Sequence, residues 1–315
     1  MSYLSIFGIA SSVAFLSWVK NSWATPAPRL PPTEERVVII GASSGLGKVL
    51  ALKYAQRGAK LIICARREAQ LIEVRDECLS LGATSTVEYV VADITQEKDL
   101  EKVKNVSLEK MGGVDTLILC SGVISVLPFV ELIGYNEATQ EIDTNDEASR
   151  VSLATSLSKI MDINFTGPVL ATQAFLPALI KSSGNVVVIS SMGGKAGAPS
   201  RSLYSASKHA LNGFFDSLRM EVEKYGVHVC LVCPGTIDTD LRSSAVDVKD
   251  TSNKEVHGSK KGKLSPESVA QKVIEASDAC EREIILPMKY YAIQWLKLLM
   301  PDLIIKLTKK KYGFE

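Results

Sequence analysis

The apolar positions of this chain fall into two alternating rhythms. Short unbroken apolar runs occur at Val37–Ile40, Leu61–Cys64, Val87–Val91, Thr116–Cys120, Val186–Ile189, Val227–Cys233 and Ile284–Leu286. Between them lie helix-like stretches such as Lys48–Ala55 and the run through Ala210, Leu211, Phe214 and Leu218, whose apolar residues recur three and four apart. A strand with helices over both faces has no wet side and so shows no polar alternation, whereas a half-buried strand would. The pattern predicts an α/β fold over residues 36–288: one doubly wound domain built on a seven-stranded parallel sheet.

Outside that rhythm, Met1 to Val19 holds no charged residue. As a helix it would span about 28 Å, close to a bilayer core. Residues 1–20 are read as an uncleaved transmembrane anchor, with Trp18 and Trp23 suited to the interface. A cleaved secretory signal, with Ser22 and Ala24 as its small residues, and a peripheral or buried segment are the alternatives; no Lys or Arg precedes the run as a signal would have. Lys20, Arg29 and Arg36 follow it and place the body on the cytoplasmic side. Residues 21–35 contain the proline-rich stretch Thr25–Pro32 and read as an extended linker. In the C-terminal amphipathic segment, 289–315, apolar Tyr290–Met300 is broken by Pro301 and followed by Lys309–Lys311. That suits an anionic membrane surface, a cover over the substrate pocket, or the face of a homodimer. Two polar stretches, acid-rich Glu131–Ser158 and basic Arg242–Lys263, read as loops or extended surface helices.

Composition narrows the classes. With 36 Lys+Arg against 35 Asp+Glu, a net charge of +1 and 46% hydrophobic residues, the chain is a folded protein without the basic excess that nucleic acid demands. Cys64, Cys120, Cys230 and Cys233 sit inside apolar runs and read as buried thiols. Cys230-x-x-Cys233 has no second pair, and His209, His228 and His257 are far apart in sequence, so no metal site is expected.

Two constellations carry chemistry. Strand Val37–Ile40 runs into Gly41-Ala-Ser43-Ser44-Gly45-Leu46-Gly47 and then a helix. Such a Rossmann-type turn brings backbone and a helix N-terminus to a pyrophosphate. The second strand ends Cys64-Ala-Arg66-Arg67 with no acid, which selects NADP(H) over NAD(H): a guanidinium holds a 2′-phosphate where a carboxylate would hold a free 2′-hydroxyl. Arg66 is the expected phosphate ligand and Arg67 a solvated neighbour. Asp93 is placed for the adenine edge, or to cap the next helix. Further on, Tyr204 and Lys208 stand four apart on a helical pattern, and a phenol with a pKa near ~10 needs a fixed cation beside it to work near neutrality. Ser191, at the end of the strand Val186–Ile189, could orient a substrate oxygen or merely cap.

Gly41–Gly47, Ser191, Tyr204, Lys208 and Cys233-Pro-Gly235, in this order, resemble the short-chain dehydrogenase/reductase family. The resemblance implies an oxidoreductase acting on CH–OH and carbonyl groups, with reduction favoured. It makes Tyr204 proton donor or acceptor, Lys208 its modulator and ribose ligand, Ser191 the carbonyl stabiliser and Asn164 the relay support, with Pro234, Gly235, Ile237 and Thr239 over the nicotinamide. The apolar amino terminus, Arg201–Ala210, Phe214–Arg219 and the tail resemble the membrane-anchored 7B group of that family, which implies lipid-like substrates and the endoplasmic reticulum. Acyl- or alkyl-dihydroxyacetone phosphate is favoured, with Lys195 and Arg201 as candidate phosphate partners. A 3-ketosphinganine or steroid reductase is an alternative, and a non-catalytic dinucleotide-binding module at a membrane is one of another class. Three departures stand out: Ile40 precedes the first glycine, Leu119-Cys-Ser-Gly122 ends the fourth strand, and Gly122 to Asn164 holds about twenty residues more than family members, near 134–156.

Overall fold

The computed structural model describes residues 31–81, 86–136, 139–142, 151–248 and 262–314. The expected anchor at 1–20, most of the linker, part of the acidic insertion and Lys254, Lys260 and Lys261 lie outside the described residues.

In chain order the strands are β1 (Arg36–Ile40), β2 (Lys60–Ala65), β3 (Val87–Val91), β4 (Thr116–Leu119), β5 (Tyr135–Asn136), β6 (Glu141–Ile142), β7 (Asn185–Ile189), β8 (His228–Pro234) and β9 (Glu283–Leu286). Seven of them form one sheet in the order β3-β2-β1-β4-β7-β8-β9, every neighbouring pair parallel. The order reverses between β1 and β4, so a crevice opens there at the carboxyl ends, the place where sheets of this kind bind ligands. The helices are α1 (Gly45–Gln56), α2 (Glu68–Ser80), α3 (Glu97–Met111), the single turn α4 (Phe129–Leu132), α5 (Leu153–Met161), α6 (Gly167–Ser182), α7 (Ser202–Val222), α8 (Pro266–Asp278), α9 (Lys289–Leu299) and α10 (Pro301–Tyr312).

Strand side chains alternate between two layers. Val37 and Ile39 face α1, α2 and α8, while Val38 and Ile40 face α3, α6 and α7. Both layers are closed, which is why the strands lack polar alternation. Cys230 faces the first layer, and Cys233, three residues on, points to the opposite side; all six cysteines are free. A third, smaller apolar cluster sits over the crevice and includes Val123, Ile160, Leu203, Val246 and Tyr204.

The described part of the acidic stretch holds the end of α4, the β5–β6 pair and the start of α5. From Leu153 the chain is helical to Ser182, passing through a π-helical turn at Asp162–Thr166. Among the described residues this is the one helix long and apolar enough to cross a membrane, but 44% of its apolar window is buried inside the protein. Ala171, Phe175 and Leu179 pack on the sheet, so its apolarity belongs to the core. Phe175 is fully buried there. Phe175→Ala is therefore expected to lower stability by about 3–5 kcal/mol, read as an earlier urea midpoint with an unchanged slope.

Candidate active site

The β1–α1 turn is packed backbone on backbone. At Gly41, with φ +94, a Cβ would lie 2.6 Å from the Ser121 nitrogen, and at Gly47 it would lie 2.1 Å from the Gly41 oxygen. Neither position accepts a side chain, so α1 starts tight against β1 and the end of β4. Ser44 caps α1 without a side-chain cap bond, and the first turn holds no acid, so no protein anion competes at this helix N-terminus. Leu46 is buried in the core and offers only its backbone. The loop after β8 closes the far side: Gly235 N–H donates to Leu286 O at 2.7 Å, Ile237 bridges to Leu264, and the Thr239 methyl lies over Gly45.

The arginine assignment changes. Arg67, expected to be solvated, donates through Nη2 to the Ser43 and Ser44 hydroxyls at 2.9 and 2.6 Å. Arg66 is 61% exposed and stands 3.8 Å from Asp93. Arg67 is the N-cap of α2, and of the two arginines it is the one bonded to the glycine turn. Asp93 accepts from Thr95 N–H and Oγ1 at 3.0 and 2.9 Å, a turn two residues long, while Gln96 and not Asp93 is the N-cap of α3. Arg66 and Asp93 also line an open groove of about 540 Å³ with Thr155, Ser158 and Lys159 of α5; Tyr204 is not part of its lining.

At the other end, Ser191 caps a short 3-10 turn by accepting from Gly193 N–H at 3.0 Å, and its hydroxyl and the Tyr204 ring both lie beside Gly193. Burial pushes the Tyr204 phenol up, and Ser191 and the Arg201 guanidinium pull it back only partly. Lys208 Nζ donates to Ile189 O at 2.9 Å and lies 6.0 Å from the Tyr204 ring centre. Burial lowers its pKa to about 8. Tyr204 and Lys208 share a helix face, with the ammonium near the Tyr204 ring and anchored by the Ile189 carbonyl. Asn164, in the π-turn and fully buried, accepts from Val123 N–H at 2.8 Å and donates to Val123 O and Ser207 Oγ at 2.9 and 3.0 Å.

Comparisons with known proteins decide the family. The short chain dehydrogenase model matches residues 35–250, more than half of the chain. The dehydrogenase/reductase SDR family member 7B of Bos taurus is 33% identical over 98% of this chain and 88% of its own length. An 11-beta-hydroxysteroid dehydrogenase A of Sesamum indicum is 34% identical over 84% and 72%. The crystal structure of a Burkholderia phymatum short chain dehydrogenase/reductase in complex with NAD shares the fold at TM-score 0.68 and 22% identity, covering 85% of this chain and 94% of that one.

The chain is a short-chain dehydrogenase/reductase. It is accordingly an oxidoreductase of a family acting on CH–OH groups. At its departure Leu119-Cys-Ser-Gly122, the Asn164 amide braces the following residue, Val123, through both its N–H and its carbonyl. Several supporting residues carried no sequence signal. Ser125 Oγ accepts from Tyr204 N–H at 3.1 Å, Ser207 Oγ donates to Tyr204 O at 2.8 Å, and Ser190 Oγ donates to Asn212 at 2.6 Å. Each partner is distant in sequence or masked by the commonness of serine. Of the candidate phosphate partners, Lys195 pairs with Glu283, and buried Arg201 donates to Ser200 and stacks 5.9 Å from the Tyr312 ring centre.

The depressed Lys208 makes a signed prediction. The unfolded chain keeps that proton to pH ~10.4, whereas the folded protein releases it near 8, so the unfolded state binds more protons in between. Stability must then rise with pH across this window. The cofactor-free parent is expected to gain about 3 kcal/mol between pH 8 and 10.5 that Lys208→Met does not gain, measured by urea unfolding of both at each pH.

Proposed function

We propose that this protein is an NADP(H)-dependent reductase of lipid-like carbonyl compounds, anchored in a membrane by residues 1–20, with its catalytic body cytoplasmic and the endoplasmic reticulum as the favoured membrane. The observation that carries the reading is the buried Tyr204 beside Ser191, its phenol pKa raised by burial, in the same crevice as a side-chain-free glycine turn. A protonated phenol is the form that gives a proton to a carbonyl oxygen, which is what reduction requires.

The residues fit a nicotinamide dinucleotide. A Cβ would fill the turn at Gly41 and Gly47, α1 offers its N-terminus, and Thr239 closes over Gly45. The bound cofactor supplies the hydride. Ser191 Oγ holds the substrate oxygen, Tyr204 Oη gives it the proton, and Lys208, 6.0 Å from the Tyr204 ring centre, offers its ammonium to the ribose side. Asn164 acts by holding the π-turn and the exit of β4 in place. Arg67, with Ser43 and Ser44 on the same side of the turn, is the group we assign to the 2′-phosphate, and Arg66 backs it.

Lipid-like substrates are supported by the apolar cluster around Tyr204. Within that class acyl- or alkyl-dihydroxyacetone phosphate remains favoured, with Arg201, whose charge reaches Tyr204, as the cation for its phosphate. The Sesamum relative's name, together with the commitment of Lys195 to Glu283, supports a steroid ketone as the second reading.

The test is NADPH oxidation by detergent-extracted protein with acyl-dihydroxyacetone phosphate, 3-ketosphinganine and a steroid ketone. Tyr204→Phe is expected to cut turnover by at least about 10²-fold while NADPH binding persists; equal turnover by the variant overturns the assignment. Arg67→Gln is expected to raise KM for NADPH by about 10- to 100-fold and leave NADH unaffected, with a smaller effect from Arg66→Gln.

A further inference from the structure

The C-terminal helices leave an apolar surface uncovered. On α9, Trp295, Leu298 and Leu299 are each at least 70% exposed and fall on one helical face. On α10, Leu303, Lys306, Leu307 and Lys310 share a face at three- and four-residue spacing, and all four are exposed. Met300 joins the two helices and is half exposed. Contiguous apolar surface of this kind on a folded protein marks an interaction site.

Its charge identifies the partner. Between Met288 and Phe314 stand six lysines and one acid, Asp302, on a chain whose total charge is only +1. Two of these lysines serve the fold: Lys297 donates to Lys195 O at 2.8 Å, and Lys311 reaches Tyr290. Lys289, Lys306, Lys309 and Lys310 are exposed around the apolar residues. A twofold contact between copies would set this patch against itself, like charge on like charge. An anionic lipid surface has the opposite sign, accepts Leu and Trp into its interfacial layer, and lets lysine stems lie along the apolar zone with their ammonium groups at the headgroups.

The inner side of the same helix pair rests on the reacting end. The Tyr290 ring sits against Gly235, in the loop that follows β8, and Tyr312 lies under buried Arg201, three residues before Tyr204. We infer that α9 and α10 form a second membrane contact, a platform that lies in the headgroup layer of an anionic bilayer and sets the mouth of the Tyr204 crevice against it. This goes beyond the proposed function and does not depend on which substrate is reduced.

The chain offers a direct probe, because its three tryptophans are Trp18, Trp23 and Trp295. Full-length protein carrying Trp18→Phe and Trp23→Phe reports from Trp295 alone. It is reconstituted without cofactor into phosphatidylcholine vesicles with and without phosphatidylserine, and fluorescence is read with brominated acyl chains and with aqueous iodide. The platform predicts strong bromolipid quenching and little iodide quenching in the phosphatidylserine vesicles. Bromolipid quenching should fall at least about twofold when phosphatidylserine is omitted or when Lys306, Lys309 and Lys310 are all changed to Gln. Trp295 open to iodide overturns the inference. So does Trp295 shielded from both quenchers, the mark of a second copy covering the face, and so does bromolipid quenching indifferent to phosphatidylserine and to the lysines. None of these readings involves turnover, so failure here is separate from failure of the reductase assignment.

Discussion

The reacting end depends on one buried amide. Asn164 has no exposure, and its oxygen and nitrogen bond the Val123 backbone and Ser207 Oγ. Breaking any of these inside the protein leaves a polar group unpaired, at a cost of about 1–3 kcal/mol each. The π-turn that presents Asn164, the exit of β4 and the first turn of α7 are therefore one unit. Ser207 passes the link to the Tyr204 carbonyl, and Ser125 takes the Tyr204 N–H. From the far side the buried Asp247 carboxylate accepts from Val126 and Leu127 N–H at 2.8 Å each, so the segment that carries Ser125 is pinned at both ends. Tyr204 is thus located by its backbone as well as by its ring.

The amino-terminal edge of the sheet is held by charge instead. Arg36 makes a two-pronged bond to Asp115 across β1 and β4, and Arg57 joins Glu35 to Asp278. Burial pushes the Glu35 carboxyl up even with Arg57 beside it. These pairs lock helix to strand at the end where no ligand crevice opens. The carboxyl end is left to glycines, hydroxyls and loops, which can be shaped around a ligand without disturbing the base.

The two-sided burial of the strands made the fold legible in sequence, since seven solid apolar runs can hardly be anything other than covered parallel strands; only their ends moved, by one residue at every strand but β3. The glycine turn was legible because its positions answer to steric exclusion, which leaves little choice of residue. The arginines were less legible. Which of Arg66 and Arg67 turns toward Ser43 and Ser44 depends on the direction in which the chain leaves β2, and no local pattern records that. Helical spacing gave the face that Tyr204 and Lys208 share, but not the Ile189 carbonyl that holds the ammonium. Helix α6 shows the reverse hazard, where composition alone would place a core helix in a bilayer.

The cysteines have a use unconnected with catalysis. Burial raises the thiols of Cys64, Cys120 and Cys233 to about 12. At neutral pH the thiolate fraction of each is then on the order of one in 10⁵. Cys64 and Cys233 are also buried within β2 and β8, so their sulfurs become reactive only as those strands open to solvent, whereas Cys120 lies past the end of β4 and is only part-buried. The rate at which Cys64 and Cys233 are labelled is thereby a built-in clock for the opening of the sheet.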